Sequence, residues 1–192
     1  MSEHQPADPK VEEATIDGVK LLRLAAMEDH RGALLELCRL SWLGDVTIVQ
    51  WNLVVSQGSV LRGMHWHNLH WDLIAPVNCG LVVGLADVRI DSPTEYAAEL
   101  VEVQSEAPTA VLIPPGVAHG FLSLEPTVVM YGVSRYWDPA DELGVRFDDP
   151  ALSLDWPLPP GGPVLSERDV SLPRLSEAGA RPRWRGESDT AA

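Results

Sequence analysis

Histidines concentrate in two short parts of this chain, and these parts hold most of the chemistry that the sequence can offer. Four of the six histidines lie within residues 62–72 and 114–119. His65 follows an Arg-Gly-Met sequence and could act as a general base, because an imidazole accepts a proton near neutral pH. One interpretation is therefore an enzyme in which His65 removes a proton from a substrate.

The same histidines also fit a metal site. His65 and His67 are two residues apart, so on a strand both side chains would face the same side. Together with Asp72 and His119 they could hold a divalent ion such as Fe, Mn, Ni or Zn, with His70 as a possible substitute ligand. A His65 that binds a metal could not serve as a base through the same nitrogen. The residues alone leave both interpretations open.

Strands must position these side chains, because the segments around them are β-branched and punctuated by turns. Turn signals such as Pro114-Pro115-Gly116 recur between the apolar segments, and no long window has helical spacing. The sequence predicts an all-β protein, a sandwich or jelly roll. The predicted strands cover residues 46–55, 81–90, 100–103, 110–113 and 127–133.

Composition and charge limit the class of protein. A formal charge of −14 argues against nucleic acid and anionic membranes as partners, because both would be repelled. The polar, acidic start does not resemble a signal peptide, and no apolar run reaches the length of a membrane span. Two cysteines suit a reducing compartment. We expect a cytoplasmic protein.

The length of 192 residues suits one domain. Residues 1–13 combine charges and prolines without an apolar period, and residues 177–192 are rich in Gly, Arg, Ser and Ala. We predict a disordered N-terminal tail over 1–13, a single domain over 14–176 and a flexible C-terminal tail over 177–192.

Several motifs in a shared order give the chain a family resemblance. The chain resembles the dTDP-4-dehydrorhamnose 3,5-epimerase family, which consists of cupin-like jelly rolls that act in deoxysugar biosynthesis. The resemblance runs from about Gly18 to Leu175. It rests on Asp29-His30-Arg31-Gly32, Val60-Leu61-Arg62-Gly63-Met64-His65, Ala86-Asp87-Val88-Arg89, Ile113-Pro114-Pro115-Gly116-Val117-Ala118-His119, Tyr131, Phe147-Asp148-Asp149-Pro150 and Leu165-Ser166-Glu167-Arg168-Asp169.

The resemblance implies a fold, an activity and roles for particular residues. It implies a cupin-like homodimer that epimerises a dTDP-4-dehydro-6-deoxyhexose at C3, C5 or both through an enolate, without a cofactor. His65 corresponds to the family's base, Asp169 to the carboxylate that orients it, and Tyr131 to the proton donor on the other face. The substrate-binding set that it implies is Arg31, Glu36, Gln50, Asn52, Arg62, His119 and Glu142.

Two positions depart from the family pattern beside the expected base. His67 replaces a glutamine, and Asp72 aligns with a lysine that helps stabilise the enolate oxygen. A carboxylate there would oppose a developing negative charge. Two alternatives therefore stand beside the epimerase. One is a metal-dependent cupin of another reaction class, such as an oxygenase or isomerase, that uses His65, His67, Asp72 and His119. The other is a non-catalytic sugar-binding cupin.

Overall fold

The fold is built almost entirely from short strands. A computed structural model of the chain describes residues 7–77, 80–104 and 107–186. The helical elements are three 3-10 turns, Leu40–Trp42, Pro139–Asp141 and Pro150–Leu152, and one α-helical turn, α1 (Glu167–Val170). The strands are β1 (Lys10–Glu13), β2 (Lys20–Arg23), β3 (Ala26–Asp29), β4 (Gly32–Leu35), β5 (Gln50–Ser56), β6 (Val60–Trp66), β7 (Asp72–Pro76), β8 (Leu81–Asp87), β9 (Ala98–Val103), β10 (Thr109–Ile113), β11 (Val117–Ser123), β12 (Thr127–Val133) and β13 (Leu143–Gly144).

Two antiparallel sheets form the body of the molecule. One has the strand order β1-β2-β10-β7-β12-β5, and the other has the order β13-β6-β11-β8-β9. Neighbours in space are mostly distant in the sequence, which is the connectivity of a jelly roll. Strands β3 and β4 form a separate hairpin. The prediction of an all-β, cupin-like jelly roll is confirmed.

Apolar side chains fill the space between the sheets and also cover their outer faces. Between the sheets, Val83 and Leu85 of one sheet pack with Val111 and Val129 of the other. The outer face of the five-stranded sheet is covered by the C-terminal segment, where Trp156 is only 6% exposed. Strand β8 is consequently buried on both faces, which explains why its sequence is almost continuously apolar.

The described parts of the two predicted tails make contacts with the rest of the chain. Lys10–Glu13 form β1 and pair with β2, so the described part of the N-terminal segment extends the sheet. In the C-terminal segment, Ala178 is buried, Arg181 donates to the carbonyl of Val88, and the indole of Trp184 donates to Asp17. This segment is held by hydrogen bonds from long side chains. Such contacts leave no apolar period in the sequence, so the sequence pattern did not reveal them. Residues 1–6 and 187–192 lie outside the described residues. Within the described part of the chain, no helix is long and apolar enough to cross a membrane.

Candidate active site

A cavity of about 240 Å³ lies between the two sheets and collects most of the predicted site residues. Strands β6 and β11 of the five-stranded sheet supply one wall, and β7 and β12 of the six-stranded sheet supply the other. The end near α1 completes the lining. The polar lining residues are Arg62, His65, His67, His70, Asp72, His119, Tyr131, Trp137, Glu142, Ser166, Arg168 and Asp169.

His65 and Asp169 form a hydrogen-bonded dyad at the edge of this cavity. The Nε2 atom of His65 lies 2.6 Å from Oδ1 of Asp169, which is on α1. Burial opposes ionisation of Asp169, but the hydrogen bonds from His65 and Ser166 and the nearby charges of His65 and Arg168 together outweigh it, and the pKa of this carboxyl lies below its ordinary value. A carboxylate can only accept, so Nε2 carries the proton and donates. The Nδ1 atom of His65 is therefore the basic atom of the ring.

The sequence around His65 is adapted to a close approach of two strands. His65 is the register partner of His119 on β11, so both side chains lie on the same face of the sheet. A Cβ atom on Gly63 would lie 2.6 Å from Cα of Gly120, and one on Gly120 would lie 2.6 Å from the carbonyl oxygen of Arg62. Gly63 also has φ +130°, a conformation that favours glycine. Both glycines are needed to place His65 where it is.

Tyr131 lines the same cavity from the opposite sheet. It is on β12, where it pairs with Ile74 and Asn52 on the neighbouring strands. Burial, together with the charges of Asp72 and Glu142, raises the pKa of its hydroxyl. Tyr131 therefore stays protonated at neutral pH and is suited to donate a proton. His65 and Tyr131 face one cavity from its two walls.

Charged and aromatic groups surround the free nitrogen of His65. Oε1 of Glu142 lies 3.9 Å from Nδ1 of His65 and forms a 2.6 Å ion pair with Arg168. The indole of Trp137 donates to Oε2 of Glu142. Burial opposes ionisation of Glu142, but these contacts hold the pKa below its usual range. A proton taken up at Nδ1 would be stabilised by this carboxylate.

The predicted substrate-binding residues divide into three groups. Arg62, His119 and Glu142 line the cavity. Gln50 and Asn52 share a face of β5 with Val54, which lines the cavity, and Gln50 accepts a hydrogen bond from the backbone of Trp137. Among the described residues, the lining includes neither Arg31 nor Glu36. Arg31 pairs with Asp29 at the tip of the β3–β4 hairpin, and Glu36 pairs with Arg39.

A second cluster at the base of the cavity separates the two interpretations of the histidines. Ligand atoms of His67, Asp72 and His119 lie within 4.8 Å of one another, whereas His65 is paired with Asp169. Of the four residues predicted as a metal set, this cluster therefore contains three, and the fourth, His65, is hydrogen-bonded to Asp169. Burial lowers the pKa of His67 to about 4, so its imidazole is neutral at pH 7.

Sequence reasoning missed Asp141 and Arg168. The carboxylate of Asp141 accepts from the backbone N–H groups of Asn68 and Leu69, and its carbonyl lies 3.2 Å from Nδ1 of His67. The only signal for Asp141 was its place beside Glu142. Arg168 lies within a matched motif, next to Asp169, and its pairing with Glu142 required the three-dimensional structure.

Comparisons with known proteins identify relatives of this chain. The family model described as dTDP-4-dehydrorhamnose 3,5-epimerase matches residues 13–177. A dTDP-4-dehydrorhamnose 3,5-epimerase of Sinorhizobium fredii is 35% identical over 172 residues, which is 85% of this chain and 88% of that protein. A dTDP-4-dehydro-6-deoxyglucose 3-epimerase of Streptomyces bikiniensis is 35% identical over 159 residues, covering 78% and 81% of the two chains.

Solved structures show the same similarity. An epimerase of Mycobacterium tuberculosis superposes with a TM-score of 0.85 at 29% identity, over 91% of this chain and 94% of that one. A 3,5-epimerase of Legionella pneumophila in complex with dTDP-4-keto-L-rhamnose gives a TM-score of 0.85 at 27% identity, over 92% and 98%. The family match, the identity to relatives and the shared fold together lead to one conclusion: this chain belongs to the dTDP-4-dehydrorhamnose 3,5-epimerase family.

Proposed function

We propose that the protein epimerises a dTDP-4-dehydro-6-deoxyhexose at C3, C5 or both. The observation that carries this proposal is the placement of the His65–Asp169 dyad and Tyr131 on opposite walls of one cavity. Inversion of a carbon centre needs a base on one face and an acid on the other, and this arrangement supplies both. Relatives whose names specify 3,5-epimerisation or 3-epimerisation support the substrate class.

The chemistry follows from the acidity of carbon next to a ketone. Nδ1 of His65 accepts the proton from C3 or C5, and the C–H electron pair forms an enolate with the C4 carbonyl. The hydroxyl of Tyr131 then donates a proton to the opposite face of the same carbon. Both side chains regain their starting states by exchange with solvent. The substrate is neither oxidised nor reduced, so the proton transfers need no redox cofactor.

Asp169 acts on this reaction through His65. Its carboxylate accepts the Nε2–H bond, which fixes the ring and stabilises the imidazolium that forms when Nδ1 takes up a proton. Glu142, 3.9 Å from Nδ1, adds a second negative charge on the other side of the ring. Two carboxylates therefore flank the ring that takes up the proton in the first step.

The nucleotide part of the substrate requires cationic and hydrogen-bonding groups at the cavity mouth. Arg62 lines the cavity and its guanidinium suits phosphate oxygens. We assign Gln50 and Asn52 to the same mouth, because they share a strand face with a lining residue. The acidic chain makes such local arginines decisive for an anionic substrate.

A homodimer would account for Arg31 and Glu36, the two predicted substrate-binding residues that lie away from the cavity of their own chain. Strand β5 is an edge strand of its sheet and exposes a stripe of apolar side chains: Val49, Trp51, Leu53 and Val55 are 41–64% exposed. An exposed apolar edge favours pairing with a second chain. We propose a homodimer through β5 in which Arg31 and Glu36 of one subunit reach the partner's cavity. The cytoplasm remains the proposed location, since the cysteine content suits a reducing compartment.

Solvent isotope exchange tests the proposed function. In D₂O, the protein should incorporate deuterium at C3 or C5 of dTDP-4-dehydro-6-deoxyglucose, as followed by NMR, and His65→Asn should abolish incorporation. The control is Asp148→Asn, which changes an exposed carboxylate, paired with Arg146, outside the cavity lining. No incorporation by the unmodified protein with several dTDP-4-keto sugars would refute the proposal and favour a sugar-binding protein without turnover.

A further inference from the structure

The base of the cavity holds a cluster of ligand-type side chains that the proposed proton transfers do not use. We propose that His67, Asp72 and His119 bind one divalent transition-metal ion, of the class of Zn²⁺, Mn²⁺, Ni²⁺ or Fe²⁺. Their ligand atoms lie within 4.8 Å of one another, close enough to converge on a single ion. Two imidazoles and one carboxylate form a common donor set for such ions.

The orientation of both imidazoles supports this proposal. Nδ1 of His67 lies 3.2 Å from the carbonyl oxygen of Asp141, and Nδ1 of His119 lies 3.1 Å from that of Val117. A carbonyl oxygen only accepts, so each Nδ1 carries the proton and each Nε2 keeps a free lone pair. Metal-binding histidines are fixed in this way, because the outer hydrogen bond sets the tautomer and the direction of the lone pair.

A further buried histidine lies beside this cluster. His70 is 2% exposed, and within the described residues its buried Nε2 atom has no hydrogen-bond partner. This atom lies 3.5 Å from Oδ2 of Asp72, and Nε2 of His119 lies 3.9 Å from the same oxygen. A buried polar atom without a partner is costly. His70 belongs to a second group, with His67 and Asp141, whose ligand atoms lie within 4.8 Å of one another, so it borders the proposed site.

The position of the ion leaves the base free. His65 is held by Asp169, and both it and the cluster line the same cavity. Metal binding and proton abstraction at His65 are therefore compatible. Resting on the proposed epimerase function, we assign the ion to the C4 carbonyl oxygen. The C–H electron pair moves into the new carbon–carbon double bond, the carbonyl π electrons move to oxygen, and the ion stabilises that charge without a change of its own oxidation state.

Metal binding can be measured without the substrate. Protein purified without a histidine tag and treated with EDTA should bind one Zn²⁺ per chain in calorimetry and should give Co²⁺ d–d absorption bands typical of nitrogen ligands. His67→Gln and Asp72→Asn should each weaken Zn²⁺ affinity by at least about 100-fold, since even outer-sphere changes reach that size. His30→Gln should leave affinity unchanged, and circular dichroism identifies any variant that fails to fold, in which case His119→Gln replaces it.

One variant separates this proposal from the proposed function. His65→Gln should lose isotope exchange but keep Zn²⁺ affinity, because His65 is not a ligand in this site. Loss of metal binding in His65→Gln would overturn the assigned ligand set. Failure of the unmodified protein to bind Zn²⁺, Mn²⁺, Ni²⁺ or Co²⁺ stoichiometrically would overturn the site, leaving a hydrogen-bonded histidine cluster while exchange activity persists.

Discussion

Replacement of Asp169 by Asn tests the electrostatic role of the dyad. The variant keeps the shape of the side chain but removes the negative charge that faces His65 across a 2.6 Å hydrogen bond. With about 4 Å between charge centres and an effective dielectric constant of about 20, this charge stabilises the imidazolium by about 4 kcal/mol. Each 1.36 kcal/mol is a factor of ten in rate. We therefore expect the exchange rate to fall by about 10³-fold.

The assay is deuterium incorporation into dTDP-4-dehydro-6-deoxyglucose, with dTDP affinity measured separately by calorimetry. The charge matters only once His65 is protonated, so kcat should fall while dTDP affinity changes little. Asp148→Asn, which alters an exposed carboxylate paired with Arg146, is the matched control and should be active. A folded Asp169→Asn protein whose exchange rate is within about threefold of the unmodified enzyme would refute the electrostatic reasoning.

Three further predictions concern packing, assembly and pH. Gly120→Ala should destabilise the fold by about 2 kcal/mol in urea unfolding and lower kcat, because the added methyl group would press on β6 beside Gly63. Unchanged stability would contradict the close approach of β6 and β11. Leu53→Glu should convert a dimer to a monomer in light scattering, and a monomeric unmodified protein would exclude the β5 interface. Asp87→Asn should cost about 3 kcal/mol at pH 7, because it breaks a buried ion pair with Arg89. The pKa of Asp87 is lowered, since its hydrogen bonds, with that from Arg89 the strongest, outweigh burial. The charge of Asp87 therefore contributes stability above the unfolded pKa of about 3.9, and this contribution is lost as the pH falls through the lower folded pKa. The difference in the free energy of unfolding between the two proteins should consequently shrink near pH 3. A difference that stays constant with pH would show that the charge is irrelevant.

β-Branched segments separated by turn signals were sufficient to predict strands and an all-β fold, but not the pairing of the strands. Residues 46–49 are as β-branched as β5 itself, yet they precede the strand, because Gln50 is the first residue paired with β12. The dyad joins residues 104 positions apart. No local sequence pattern relates residues so far apart in the chain, so only the family resemblance linked His65 to Asp169.

The candidate site shows the same division. The spacing of His65 and His67 suggested a shared strand face, and both side chains line one cavity. It could not show that they have different partners, because Asp169 and Asp141 approach from distant segments. Arg31 was predicted from its motif alone. In the single chain, the described residues that line the cavity do not include it. The missing information is the geometry of segments that meet only after folding.

His65 and Tyr131, which we propose as the proton-transferring groups, stand on different sheets, so the apolar layer between the sheets sets the distance between them. Val129 lies two residues before Tyr131 on β12 and packs in that layer with Phe121 of β11. A substrate that loses its proton to His65 but regains it from the same face exchanges isotope without inverting. The ratio of the rate of isotope exchange to the rate of inversion therefore depends on the spacing of the sheets. Core substitutions far from the sugar, such as Val129→Ala, are expected to change the stereochemical fidelity of the enzyme before they change its affinity.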